Sequence, residues 1–406
     1  MFSLMVVIRH KERKKCAVLL RGAKRFYVIS AQQTAMKKAV VSVINDLVTD
    51  QRVHKTCTTL HEMGYEVLLV GRVQKSSLPL KPRSYQTHRM KLMAEKGMLF
   101  YLLFQWRLCW FLLRHKADVY VANDLDTLWP NRMVSRIRRK PLVYDTHEIF
   151  TEVPELVHRP FKQKIWRMLE RRIFPKLTHV FTVNESIARW YEQRYGIKPA
   201  VVRNMPRLHV PPPPALTRTQ AGLPEDKAVI LMQGAGLNIQ RGAEEAVLAM
   251  KYIDNAVLLI IGGGDVLPVL KQLVNEHALT EKVIFTGKLP PDELRARTRL
   301  ADVGLTLDKD TNLNYRYSLP NKIFDYIHAG VPVLASDLPE VKHIVTHYKV
   351  GQVVTTHAPE AIAEALKGML ESPLREVWKA NALAAAEELC WEREEDAIRS
   401  VYAHFL

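Results

Sequence analysis

Apolar residues in this 406-residue chain come in short solid runs rather than in strict alternation. In the first half the runs fall at Ala39–Ile44, Tyr65–Val70, Asp118–Ala122, Pro141–Tyr144, Val180–Val183 and Ala200–Arg203, with helical spacing between them. Continuous apolar runs are what strands buried on both faces require, and strands alternating with helices predict a parallel, doubly wound sheet. A Pro-rich stretch follows, and the pattern then starts again. Strands are predicted at Val229–Met232, Ala256–Ile261, Val283–Phe285, Val303–Leu307, Val331–Ala335 and Gln352–Val354. The expected fold class is α/β, with two Rossmann-like doubly wound domains.

The boundaries follow from the same pattern. Residues 36–204 form a first domain, and 205–224, containing Pro211 to Pro214, form a stiff linker. Residues 225–388 form a second domain, and 389–406 a final helix carrying Trp391, Ile398, Tyr402 and Phe405. Residues 1–35 are basic and show no clear period, whereas Met36-Lys37-Lys38 leads straight into a buried strand. The expectation is that Met36 is the start and that 1–35 is upstream sequence or a disordered arm. No secretory signal is legible there.

Residues 98–113 are the most apolar stretch, interrupted by Gln105 and Arg107. A spanning helix needs roughly 20 apolar residues, so this run reads first as a buried helix. Trp106 and Trp110, flanked by Arg89, Lys91, Lys96, Arg114 and Lys116, also suit a helix lying at a membrane interface.

Composition adds two constraints. Cys16, Cys57, Cys109 and Cys390 have no metal or redox spacing, which argues for a reducing compartment and against a zinc site. The net charge of +17 is unevenly placed. Residues 1–207 hold 39 Lys and Arg against 16 Asp and Glu, and residues 208–406 hold 20 against 26. A basic first half implies an anionic partner. With no recognisable nucleic-acid module, nucleic acid is not expected, and an anionic membrane or a phosphate-bearing acceptor is preferred. Arg132, Arg136, Arg138, Arg139, Lys140, Lys162, Lys164, Arg167, Arg171, Arg172 and Lys176 concentrate the charge.

The densest chemistry lies in residues 318–337. Pro320 suits a first helical position, Ile323, Phe324 and Ile327 recur at helical spacing, and Gly330 with Pro332 ends the helix. Lys322 at the helix start could hold an anion, and Asp325 one turn on could accept hydrogen bonds from a diol. The same residues also fit an ordinary surface helix with both side chains solvated.

The motif decides between them. Ser318-x-Pro320-Asn321-Lys322-x-Phe324-Asp325-Tyr326 resembles the nucleotide-sugar motif of the retaining GT-B glycosyltransferases of family four, in a subgroup with these fixed positions. The resemblance implies two domains facing each other across a cleft, with the last helix crossing back to the first. It implies that Asp325 binds the ribose. The family's other acid would fall at Tyr317 and is absent. Donor-binding residues are expected at Gly234, Gly236, Arg241, Gly263, Ser318, Leu319, Asn321, Lys322 and Asp325. The family's first clamp arginine is missing, with Ala235 or Gly236 in its place, so the resemblance implies a diphosphate clamp that depends more on Arg241, Lys322 and backbone amides. His147 resembles the histidine near the transferred sugar, and Arg241 and Lys322 complete the expected catalytic set.

Asn45, Asp46, Arg52, Asp124 and Glu148 are expected on the acceptor side, at carboxyl ends of strands. Asn45 and Asp46 equally suit a capping role, and the glycine-rich turn common in the family is lacking there. Asp124 and Asp126 mimic an Asp-x-Asp metal motif of a different fold; they are read as rim residues, with no metal and no cofactor beyond the nucleotide sugar. The implied activity is metal-independent, retaining sugar transfer to a glycan or lipid-linked acceptor. The expected location is cytoplasmic, peripheral on the membrane's cytoplasmic face. A GT-B nucleotide-sugar epimerase and a nonenzymatic membrane or anionic-ligand binding protein are the competing readings.

Overall fold

The computed structural model describes residues 36–406 apart from Thr49, Ser76 and Lys96, together with the backbone of two earlier strands. Those strands, β1 (Ala17–Gly22) and β2 (Arg25–Ser30), pair antiparallel and join neither main sheet. Regular structure therefore occurs where the sequence reading expects an irregular arm. Two runs rich in Val, Leu, Ile and aromatics follow one another closely there, and the strands they form pair antiparallel. The expected start at Met36 turns on the stretches on either side of this pair, which lie outside the described residues.

The first main sheet contains β3 (Lys38–Asp46), β4 (Glu66–Val73), β5 (Gln86–Lys91), β6 (Val119–Asn123), β7 (Leu142–Thr146), β8 (His179–Thr182) and β9 (Ala200–Val201). They run parallel in the order β5-β4-β3-β6-β7-β8-β9. The second contains β10 (Ala228–Gly234), β11 (Ala256–Gly262), β12 (Val283–Gly287), β13 (Val303–Thr306), β14 (Val333–Ser336) and β15 (Gly351–Val354). These are also parallel, ordered β12-β11-β10-β13-β14-β15. In each sheet the winding reverses beside its first strand, so a crevice opens at the carboxyl ends of β3 and β6 and of β10 and β13. Open α/β sheets bind ligands at such points.

Strand β5 has no counterpart in the sequence reading. It is an edge strand in which only Met90 is buried, so it lacks the apolar run that marks the others. The helix Gly97–Arg114 turns Phe100, Phe104, Leu108 and Leu112 into the core of the first domain.

The final helix, Trp391–Ala403, packs its apolar face on the first domain. Trp391, Ile398 and Tyr402 share a core with Val41, Val67, Val121 and Phe181 of the first sheet. The Trp391 indole donates to Thr59 Oγ1 at 3.2 Å, and its backbone N–H donates to Pro206 C=O at 2.8 Å. Arg203, at the end of the first domain, pairs with Glu394 at 2.7 Å. The linker and the last helix thus form two strands of one hinge, and they hold the two sheets with their carboxyl ends toward the same cleft.

Trp391→Ala removes the largest fully buried side chain of this hinge. It is expected to cost about 3–5 kcal/mol, read as a lower urea midpoint. An unchanged midpoint would show that the hinge does not hold the domains together.

Candidate functional site

The second domain brings its chemistry to the switch point between β10 and β13. Asp308, two residues beyond β13, is almost completely buried, and two cations converge on it. Arg241 Nη1 lies 3.0 Å from its Oδ2, and Lys322 Nζ lies 3.9 Å from its Oδ1. Burial lowers the Lys322 pKa and Asp308 opposes that shift. A buried cation pair is tolerable only with such a counter-charge, and it offers two positive groups to one anion. Gly242 follows Arg241 at φ +74°, and a Cβ there would sit 2.3 Å from Leu307 C=O. The backbone can approach β13 this closely only with glycine at that position.

Lys322 and Asp325 stand on the helix Lys322–His328. This helix begins two residues after Pro320. Ile323 and Phe324 bond back to Pro320 and Asn321 in tight i to i+3 fashion, so the expected first helical position belongs to a 3₁₀-like turn instead. Tyr326 bolts the helix down: its hydroxyl lies 3.2–3.3 Å from Leu231 C=O, Leu305 C=O and Gln233 N–H. Gly304 beneath it is required, since a Cβ there would meet the Tyr326 ring at 2.5 Å. Asp325 is left pointing into the cleft, its Oδ2 accepting from Gln233 Nε2 at 2.9 Å. Burial pushes its pKa up to about 6, against the Gln233 hydrogen bond and the charge of Lys55 across the cleft.

Across the cleft, His147 follows β7. Asp124 Oδ1 accepts its backbone N–H at 2.9 Å and Oδ2 lies 3.1 Å from its Nδ1, while Asp145 Oδ2 lies 3.6 Å from its Nε2. Burial opposes charge on the ring, but Asp124 and Asp145 together hold its pKa well above the ordinary histidine value. Asp145 is in turn gripped by Arg52, with Nε at 3.0 Å and Nη2 at 2.6 Å, and its pKa falls well below the usual carboxylate range although burial pushes upward. Asp124 adopts φ +59°, a strained conformation for a residue with a side chain, costing about 1–3 kcal/mol. That strain aims its carboxylate at His147.

Glu148, next in the chain, is raised to about 7 by burial and by Asp124. Its Oε2 accepts from Asn314 Nδ2 of the second domain at 3.0 Å. His147, Glu148, Arg241, Lys322 and Asp325 are therefore gathered at one cleft.

Other expected residues are placed elsewhere or are occupied. Arg52 is buried behind Asp145 rather than lining the cleft. Asn45 donates to Asp50, the cap of the helix Gln51–Glu62, and Asp46 accepts from Val48 N–H and pairs with Arg89 at 3.0 Å. The Ser318 hydroxyl donates to Tyr315 C=O at 2.8 Å, Leu319 packs on the second core, and the Asn321 side chain makes no cap hydrogen bond. Gly234 ends β10 and Gly236 lies in the open loop after it. In the glycine triplet, Gly263 meets only the Lys288 side chain; Gly262 and Gly264, whose Cβ atoms would fall within 1.9 Å of carbonyl oxygens, are the ones the backbone needs. Asp126 is buried with its pKa raised well above a carboxylate's by burial and by Asp124.

Asp308, Asn314, Gln233 and Asp145 are the residues that the reading missed. Asp308 and Asp145 carried a signal, a carboxylate at the end of a buried strand. Asn314 carried none, because its partner is 166 residues away in sequence.

The fold and this cleft define the GT-B architecture of two facing Rossmann-like domains. Family models match on both sides of the hinge: Glycosyltransferase Family 4 over residues 50–207 and Glycosyl transferases group 1 over residues 215–384. The chain belongs to the family-four type of glycosyltransferases. A GDP-mannose-dependent α-(1-6)-phosphatidylinositol monomannoside mannosyltransferase of Mycobacterium tuberculosis is 29% identical over 172 residues. That match takes in 41% of this chain and 44% of the mycobacterial protein, less than half of either. Among solved structures, sucrose-phosphate synthase of Thermosynechococcus elongatus aligns with a TM-score of 0.75 at 18% identity, covering 91% of this chain and 98% of that one. Anabaena HepE in complex with UDP and glucose aligns with a TM-score of 0.69 at 16% identity, covering 90% and 99%.

Burial raises the Asp325 carboxyl to about 6, so if it holds a nucleotide's ribose, affinity for a UDP- or GDP-sugar, whose phosphodiesters do not titrate in this range, is level above pH 7 and about tenfold weaker by pH 5. Calorimetric titration at both pH values checks this, with Asp325→Asn as the control that loses the dependence. A flat wild-type profile would place Asp325 away from the nucleotide.

Proposed function

We propose that the chain transfers a hexosyl or related sugar, with retention, from a nucleotide sugar to a glycan or lipid-linked acceptor. The observation that carries this reading is the meeting of Arg241 and Lys322 at Asp308, with Asp325 one turn further along the helix and His147 opposite. Arg241 and Lys322 take the diphosphate, and Asp325 takes the ribose diol. The bond between the sugar's anomeric carbon and the phosphate oxygen breaks, and its electron pair leaves with the nucleotide. The two cations stabilise the growing charge. The acceptor hydroxyl bonds to the anomeric carbon on the same face and passes its proton to the departing phosphate. In this reading His147, held between Asp124 and Asp145, acts at the transferred sugar.

The reading assigns no metal, because both Asp124 oxygens are engaged with His147 and the diphosphate charge has its own cations. The mycobacterial relative's donor and the UDP and glucose held by HepE support a nucleotide-sugar donor. A thermal-shift and calorimetric screen of UDP, GDP and ADP sugars in chelator tests the proposal. Selective binding is expected, weakened about tenfold to a hundredfold in Asp325→Ala, as for loss of hydrogen bonds to a charged group. No binding by any of them would overturn it.

A lipid-linked acceptor fits the surface of the first domain, for which peripheral contact with an anionic membrane is part of the reading. Among the described residues no helix is long and apolar enough to cross a bilayer. The helix Gly97–Arg114 nevertheless exposes Met98, Leu99, Leu102, Trp106 and Trp110 along its outer side, each at least 45% accessible. The Tyr101 and Trp166 rings, 5.6 Å apart, join it to the helix Pro160–Ile173, which exposes Phe161 and Met168 among Lys162, Lys164, Arg171 and Arg172. Apolar side chains inside a ring of cations suit an anionic lipid surface. Binding to phosphatidylglycerol vesicles is expected, absent with phosphatidylcholine and weakened at least tenfold in the Trp106→Ser, Trp110→Ser double variant. Equal binding to both lipids, or to neither, would remove the membrane from the proposal.

A further inference from the structure

The segment that follows Asp308 touches both halves of the cleft. Its core is the short helix Leu313–Arg316, capped by Asn312, whose Oδ1 accepts from Tyr315 N–H at 2.9 Å. On one side the Tyr315 ring lies 4.8 Å beneath the Arg241 guanidinium, the group already placed on Asp308. On the other side Asn314, itself buried, reaches into the first domain with both ends of its amide. Its Oδ1 accepts from Ile149 N–H at 3.1 Å, and its Nδ2 donates to Glu148 Oε2 at 3.0 Å. One residue beyond the helix, Tyr317 C=O accepts from Asn184 Nδ2 at 2.7 Å, and the Tyr317 ring packs on the first domain's core.

This single turn therefore has the phosphate-facing cation on one face and the two residues after His147 on the other. We propose that Asn314 is a positioning residue, through which an occupied diphosphate site orders the His147–Ile149 segment for reaction. This rests on the donor site proposed above. An anion on Arg241 fixes the guanidinium over Tyr315, and a turn ordered on that side loses less entropy when Asn314 closes on Glu148 and Ile149. The coupling runs both ways: a formed Asn314 contact favours nucleotide binding by the same factor. Tyr317 then has a different use from the acid that the family places there. It anchors the turn on the first domain instead of facing the donor.

Asn314 has a chemical signature that a merely structural contact lacks. Asn314→Asp can still accept from Ile149 N–H but sets a second carboxyl against Glu148, which titrates near 7. The two can bond only while one of them holds a proton, so acid restores the contact in Asn314→Asp and does nothing for Asn314→Ala.

Hydrogen exchange of peptides covering residues 147–150, corrected for intrinsic rates, tests this on the full chain. Without nucleotide, Asn314→Ala is expected to speed exchange at Ile149 by about tenfold while residues 179–182 of β8 are unchanged. With UDP or GDP, wild type slows by about a further tenfold; Asn314→Ala does not, although the nucleotide still raises its melting temperature. Asn314→Asp behaves like Asn314→Ala at pH 8 and approaches wild type at pH 5.5. Slowing by nucleotide to the same extent in wild type and Asn314→Ala would overturn the coupling, as would an Asn314→Asp variant with no acid recovery. Failure of UDP and GDP to raise any melting temperature would count against the donor site itself, and the nucleotide-free and acid-recovery comparisons would still judge the Asn314 contact.

Discussion

Charge taken out of water must meet opposite charge, and that constraint shapes both walls of the cleft. In the second domain the Asp308 carboxylate lies between Arg241 and Lys322. In the first, Arg52, Asp145, His147 and Asp124 alternate in sign as one continuous chain of contacts. The first-domain set sums to zero when His147 is protonated, whereas the second-domain set keeps a net charge of +1. The strain at Asp124 and the deep burial of Arg52 serve the same need, because Asp124 and Asp145 together raise the His147 pKa against burial.

The backbone supplies the positions for these groups without special construction. Two parallel sheets wound in the same order leave their crevices at the same relative place, beside the first strand of each. The hinge made by Pro206 and Trp391 turns those crevices toward one another. Glycine is demanded where loops must pass tightly over strand ends, at Gly242 and Gly262, because a Cβ there would collide with neighbouring carbonyls. The Tyr317 ring packs on the first domain's core and its C=O accepts from Asn184 Nδ2, so this position ties the two domains together.

Much of the fold was legible because burial on both faces writes itself into sequence. Strands β3, β4, β6 to β8 and β10 to β15 appear as apolar runs, and their polar ends marked where chemistry would collect. The edge strand β5 escaped, for an edge strand buries one face at most and lacks the continuous apolar run of the inner strands. At the site, Lys322, Asp325, Arg241 and His147 stood next to recognisable strand or helix ends. Which of the three glycines the backbone requires cannot be read from the triplet, because it depends on neighbouring carbonyls that only the fold brings near.

The sequence alone determined the two doubly wound domains, the hinge between them and the identity of the motif, since these depend on periodicity and on residues close along the chain. Only the tertiary structure decided which polar groups are spent and which are free. Asn45, Asp46 and Ser318 engage local caps, turns and ion pairs, Arg52 sank behind Asp145, and Asp308 and Asn314 emerged as partners of residues 67 and 166 positions away. The reason is physical. A hydrogen bond or ion pair is made by proximity in space, and the desolvation that gives it value exists only once the chain has closed over it.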